Sequence, residues 1–361
     1  MGRVIDRRTF LIGAGRGAAG LAALSSLQAG DPWTALISRL DQLVPQLMTS
    51  ARLPGLSLAL VRDGRLHWRR AFGVKDAVSR APVDHDTVFE AASMSKPVFA
   101  YAVMKLRERG LVDLDLPLTK FTTARFLEGD SRLDLITARQ ILSHTAGFQN
   151  WRSDAAPLKI HFTPGERYQY SGEGYSYLQS VVTHLAGEAF DPFMRRVLLA
   201  PFGMEASGYV WNDHYERHMA RPHDTAGGAL DNQKNTADSV ARYGSAGALL
   251  STPTDFAKFL CEVIAPGPAD AFRLSRASLE EMVRPVVKLD DGTNGSWALG
   301  WRIQPTEKGD FVMHGGDNEG FHCVAVASPS LRNGYVVMTN GESGVAVLPK
   351  VMEPINAALV A

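Results

Sequence analysis

The chain has 361 residues, of which 45% are hydrophobic and 21% charged, an ordinary globular balance that excludes a disordered, collagen-like or coiled-coil protein. Lys plus Arg and Asp plus Glu both number 38, so there is no basic surplus to neutralise nucleic-acid phosphates or hold an anionic membrane. A small-molecule or peptide substrate is the partner these counts favour, and the body of the chain has no apolar run near the roughly 20 residues of a membrane span.

In chain order, Arg7-Arg8-Thr9-Phe10-Leu11-Ile12 opens an apolar, small-residue stretch to about Leu27, followed by Gln28-Ala29-Gly30. This order is similar to a twin-arginine export signal, with residues 1–29 as the leader. It implies the twin-arginine export machinery as a partner and a periplasmic or otherwise exported mature chain. Gly15-Arg16-Gly17-Ala18-Ala19-Gly20 also matches the dinucleotide fingerprint G-x-G-x-x-G. That motif needs a strand before it and a second, acidic-ended strand about 20 residues on. Trp33 to Met48 reads instead as a helix, with Leu36, Ile37, Leu40, Leu43, Val44 and Leu47 on one face. No cofactor is expected.

Gly55 to Val61 and Arg65 to Gly73 read as strands joined at Asp63-Gly64, a hairpin dipeptide. From about Ser93 to Val283 helical patterns dominate. Pro97 to Arg109 ends at Gly110, Tyr175 to Ala186 ends at Gly187, and Asp191-Pro192 and Thr252-Pro253 supply N-cap and N1 pairs. Trp297 to Ile303, Phe311 to His314, Phe321 to Ser328 and Tyr335 to Asn340 read as strands, and Leu348 to Val360 as a closing helix. The expected fold is therefore α+β: an antiparallel sheet built from both chain ends (about 30–92 and 290–361), flanked by helices, with a helical region (about 93–289) inserted between. Cys261 and Cys323 could form one bridge in an oxidising compartment, but free, packed thiols are the favoured reading.

Three segments carry chemistry. Ser93-Met94-Ser95-Lys96 opens an all-apolar helix, and at i and i+3 the hydroxyl and the amine share a face. Its competing reading is an N-capping serine with a surface lysine. Phe162 to Gly172 is a turn leading into Tyr170-Ser171-Gly172 just before a helix, and His314-Gly315-Gly316 ends a strand. Taken in order, these match Ser-x-x-Lys, Tyr-x-Asn and Lys-Thr-Gly or His-x-Gly. The sequence thus resembles the serine β-lactamase and D-alanyl-D-alanine peptidase superfamily, closest to its class C-like, esterase-containing branch. The resemblance extends to Ile141-Leu142-Ser143-His144-Thr145-Ala146-Gly147, Pro164-Gly165-Glu166, Pro201-Phe202-Gly203-Met204 and Leu299-Gly300-Trp301.

The resemblance implies a β-lactamase/transpeptidase-like fold over residues 30–361, with Ser93 as the acylated nucleophile and Lys96 and Tyr170 sharing the proton transfers. His314 stands where many relatives carry lysine, and the backbone N–H groups of Ser93 and Asp317 would form the oxyanion hole. Gly315 and Gly316 leave a strand edge along which a substrate can lie. Gly172 departs from the family's asparagine, whose amide can hydrogen-bond the substrate's acyl-amide oxygen and the lysine. Its loss favours esters or D-amino-acid derivatives over β-lactams. The alternative is a non-hydrolytic peptidoglycan- or peptide-binding relative that keeps the pocket.

Other hydrolase and metal signals are weaker. Gly341-Glu342-Ser343-Gly344-Val345 fails the G-x-S-x-G pattern, Ser143-His144 reads as a structural loop, and His214, His218 and His223 lack the companions of a zinc site. No metal is expected. If Arg7-Arg8 directs export, changing both to lysine leaves unprocessed precursor in the cytoplasm, detected by fractionation and N-terminal sequencing. A mature cytoplasmic protein that retains residues 1–29 contradicts export.

Overall fold

The computed structural model describes residues 31–360, so the leader and its glycine motif lie outside the described residues. Helix α1 (Pro32–Ala51) is followed by the hairpin β1 (Gly55–Arg62) and β2 (Arg65–Gly73), then β3 (Phe89–Ala92) and α2 (Ser95–Glu108). The helical region continues with α3 (Ala138–Leu142), α4 (Gly172–Ala186), α5 (Phe190–Met194), α6 (Asp213–His218) and α7 (Ala237–Gly247). After the short strand β4 (Leu249–Ser251) come α8 (Pro253–Ile264) and α9 (Arg276–Met282). The chain closes with β5 (Val287–Lys288), β6 (Ser296–Trp297), β7 (Arg302–Gln304), β8 (Phe311–Asn318), β9 (Phe321–Ser328), β10 (Asn333–Thr339) and α10 (Gly344–Leu359).

The main sheet has eight antiparallel strands in the order β2-β1-β10-β9-β8-β7-β6-β5, so the two chain ends meet where β1 pairs β10. This is the expected α+β architecture. Strand alternation divides the core into two layers. Leu56, Leu58 and Leu60 of β1 and Val324 and Val326 of β9 pack with Leu40 and Val44 of α1 and Val351 and Ile355 of α10. From the same strands, Ala59, Val61, Ala325 and Ala327 face the helical region, where α8 contributes Phe256, Phe259 and Leu260. Both sheet faces are covered, and β1 and β9 accordingly read as near-continuous apolar runs. Edge strand β2 is instead mostly exposed and rich in arginine, which discourages edge-to-edge pairing with another chain.

Local chemistry explains most element ends. Asp63 and Gly64 both have positive φ, as a tight hairpin requires. Thr252 caps α8 through the Asp255 N–H with Pro253 in its first turn, and Gly187 ends α4 in the left-handed conformation. Cys261 and Cys323 are free thiols.

Two readings need correction, and one small sheet is missing from the sequence-based expectations. Trp297 to Ile303 is not one strand but a hairpin of β6 and β7, because Gly300 turns with φ +84. A Cβ there would lie 2.8 Å from Ala100 Cβ and 3.2 Å from Pro97 Cα, so the turn needs glycine to rest on α2. Asp191 does not cap a helix. It sits inside α5, and its carboxylate accepts the N–H groups of Tyr209 and Val210, tertiary partners that displace the capping role. The small sheet of β3 and β4 escaped notice because each strand is only three or four residues long.

Candidate active site

Ser93 stands in the turn between β3 and α2. Ala92 before it holds φ +46, a conformation costly for a residue with a Cβ. The turn is fixed from both sides. The Met94 N–H donates to Ala91 O at 2.9 Å and the Ser95 hydroxyl to Ala92 O at 2.6 Å, while Ser95 Oγ accepts the Leu249 N–H of β4. The α2 N-cap is Met94, with no side-chain capping bond, so Ser93 is not an N-capping serine. Nor is Lys96 a surface residue, being fully buried. Its Nζ donates to Ala246 O of α7 at 2.5 Å and lies 3.3 Å from Ser93 Oγ. It also sits 4.8 Å from the centroid of the Tyr170 ring and 5.4 Å from that of Tyr175.

Tyr170 is placed by the start of α4. Ser171 is the N-cap: its hydroxyl oxygen accepts the Gly174 N–H at 2.9 Å and donates to Gln149 O at 2.8 Å. The Ser171 N–H donates to Nδ1 of His144, whose ring lies 4.2 Å from that of Tyr170 and 5.0 Å from that of Trp297. From the sequence Ser143-His144 reads as a structural loop. Ser143 indeed turns away to bond Arg139 O, but His144, held at φ +57, packs against the Tyr170 ring at the site. The only signal for it was its place in the Ile141–Gly147 segment. Gly172 has ordinary φ, yet a Cβ there would lie 2.4 Å from the Trp151 ring. The side chain missing at position 172 is replaced by the indole of a residue 21 positions earlier.

The third segment lies on β8. Strand β7 pairs only with Phe311 to Met313, so Gly315 and Asp317 extend past its end while remaining paired to β9. The edge expected at the two glycines is present although β8 is an interior strand. His314 is buried, donates from Nδ1 to Gly315 O at 2.6 Å, and places its ring 6.3 Å from Tyr170 and 5.5 Å from Trp297. Gly316 is demanded by proximity: a Cβ would fall 2.3 Å from Ala91 O and 2.6 Å from Cys323 Sγ. Its absence lets β8 close on β3 two residues before Ser93. The exposed Asp317 carboxylate accepts from His322 Nδ1 at 2.7 Å; burial pulls the His322 pKa down, but that bond and the Asp317 and Glu342 charges outweigh it and leave the pKa raised. Ser93, Lys96, Tyr170 and the His314–Asp317 strand thus converge from three parts of the chain.

The three histidines with partial metal spacing do not converge. His214 and His218 stack at 4.6 Å, whereas His223 is buried elsewhere between Asn340 O and the Ala77 N–H. Among the described residues no group of three His, Cys, Asp or Glu side chains could hold a metal ion.

A family model described as Beta-lactamase matches residues 40–351. Protein flp of Staphylococcus aureus (strain MRSA252) is 20% identical over 343 residues, covering 89% of this chain and 66% of that protein. Esterase EstB of Burkholderia gladioli is 29% identical over 218 residues, covering 52% of this chain and 55% of that protein. The chain therefore spans less than two thirds of the length of either. A solved structure described as a class C beta-lactamase superposes with a TM-score of 0.78 at 17% identity, over 92% of this chain and 99% of that one, a likeness of fold.

Glu90 of β3 lies beside this strand, its carboxylate accepting the Asn318 amide at 2.5 Å. Burial pushes its pKa up to about 7 against the pull of that bond, and Glu319 adds to the rise. A carboxyl that ionises less readily folded than unfolded gives stability present below about pH 4.5 and lost as pH rises through about 7. Glu90→Gln is therefore expected to be more stable than wild type at pH 8, by at most about 3 kcal/mol. The difference should vanish near pH 4.5 in urea unfolding. An equal effect at both pH values would contradict the buried-acid account.

Proposed function

The chain belongs to the Beta-lactamase family, and from that membership we propose an exported serine hydrolase that forms an acyl-enzyme on Ser93 and acts on esters, D-amino-acid amides or peptides, or β-lactams, with esters and D-amino-acid derivatives favoured. The observation that carries this reading is the Lys96 amine, buried and 3.3 Å from Ser93 Oγ. A serine hydroxyl needs a base to become a useful nucleophile, and a lysine can serve when burial favours its neutral form.

In this proposal Ser93 Oγ attacks the substrate carbonyl carbon as its proton passes to the Lys96–Tyr170 pair. The N–H groups of Ser93 and Asp317 receive the developing oxyanion. The carbonyl–oxygen or carbonyl–nitrogen bond breaks, the proton returns to the departing alcohol or amine, and water then cleaves the acyl-serine by the same route. His314 stands in the third segment, where many relatives carry lysine, with its ring 6.3 Å from that of Tyr170. Export rests on Arg7-Arg8 and the apolar stretch that follows them.

Gly172 and Trp151 support the ester preference, because position 172 itself carries no amide for an acylamido group and the indole fills the space a side chain there would take. One such bond is worth about 0.5–1.5 kcal/mol net, up to roughly tenfold in rate. The expected outcome is a higher kcat/KM on 4-nitrophenyl butyrate than on a chromogenic cephalosporin, with Ser93→Ala losing at least about 10³-fold on both. A cephalosporin preferred over the ester would make a β-lactamase the better reading. Wild-type activity in Ser93→Ala would end the serine mechanism.

A further inference from the structure

Trp151 is unusual in being both 42% exposed and tightly held. On one side, the Asn150 carbonyl accepts the N–H groups of Gly172 and Glu173 at 3.1 and 3.0 Å, and Asn150 Oδ1 also accepts the Gly172 N–H at 2.9 Å. On the other, the buried Glu173 carboxylate takes the Arg152 N–H at 2.9 Å and its guanidinium at 2.9 and 2.6 Å. The Arg152 guanidinium in turn lies 4.7 Å from the centroid of the Phe126 ring. The indole between these clamps covers Gly172 and meets the half-buried Tyr243 edge-on at 5.4 Å.

Both rings belong to elements that build the site. Gly172 is two residues beyond Tyr170, and Tyr243 precedes by one helical turn Ala246, whose carbonyl holds Lys96. An anchored aromatic surface on elements that carry Tyr170 and the acceptor of Lys96 can serve as a recognition wall, since a rigid apolar face binds without first losing side-chain freedom.

We infer that Trp151 and Tyr243 determine acyl specificity, accepting a flat, apolar, aromatic acyl group that carries no amide. The inference rests on the acyl-enzyme reading above and narrows it to arylacyl esters. An aromatic acyl group would lie against the indole face. An acylamido group laid on the indole would set its polar N–H against an aromatic face instead of the amide oxygen a side chain at position 172 could offer, weakening the hydrogen bond it makes in water.

The test compares 4-nitrophenyl phenylacetate with 4-nitrophenyl acetate, which share a leaving group, in the full chain and in Trp151→Ala, Trp151→Phe and Tyr243→Ala. Wild type should favour phenylacetate. The phenylacetate-to-acetate ratio of kcat/KM should fall by about tenfold or more in Trp151→Ala, chiefly through KM, with most of it retained in Trp151→Phe. If Trp151→Ala does not fold, the same fall in Tyr243→Ala supports the wall. A ratio unchanged while both rates drop together assigns Trp151 a structural role only and overturns the inference. Fluorophosphonate labelling in parallel separates the two levels: a labelled Ser93 with an unaltered ratio removes the aromatic wall alone, whereas an unlabelled wild-type Ser93 removes the acyl-enzyme reading with it.

Discussion

Lys96 is an amine with no exposure to solvent, bonded at 2.5 Å to the Ala246 carbonyl and 3.3 Å from the Ser93 hydroxyl. A buried nitrogen of this kind is costly unless its surroundings satisfy it. The fold is arranged accordingly, with α7 delivering a backbone carbonyl from 150 residues away and the rings of Tyr170 and Tyr175 bordering the amine. Helix α2 is buried along almost its whole length, so the lysine cannot swing out to water without opening the core. The same packing that constrains the fold holds the amine within reach of the Ser93 hydroxyl.

Everything else near Ser93 is set by how closely other elements must approach this helix and the turn before it. Gly300 lets the β6–β7 hairpin rest on Pro97 and Ala100, and Gly316 lets β8 come against Ala91. Gly172 follows a different logic, because Trp151 rather than the backbone fills the space. These three glycines lie in or beside the sequence segments of the site, and the first two are needed for contact with the nucleophile's own element. Cys323 completes the contact from behind, its thiol donating to Ala91 O at 3.2 Å, and burial raises its pKa so that it remains a thiol.

Features carried by side chains at short spacing were legible in the sequence. The i, i+3 spacing brings Ser93 close to Lys96 even though Ser93 lies in the turn just before α2, the Asp63-Gly64 hairpin and the Thr252-Pro253 helix start are local chemistry, and β9 was bounded correctly from its apolar run. Features that depend on tertiary partners were not. A backbone acceptor such as Ala246 O leaves no mark in a sequence, and His144 looks like a loop residue until Ser171 and Tyr170 are brought to it. Trp151 reads as an isolated aromatic because the Arg152–Glu173 clamp that fixes it spans 21 residues. Trp297 to Ile303 misled for the opposite reason, since a run apolar enough for a strand hid a glycine whose turn is dictated by α2.

The central claim is that Lys96 activates Ser93, and it is tested most directly by covalent capture. Wild type and Lys96→Ala, with matched far-UV circular dichroism, are treated with a fluorophosphonate and their intact masses followed over time, and the adduct is located by peptide mapping. The account predicts one adduct per chain on the peptide carrying Ser93, formed at least about 10²-fold more slowly in Lys96→Ala. An adduct on another residue, or equal rates in the two proteins, would contradict it.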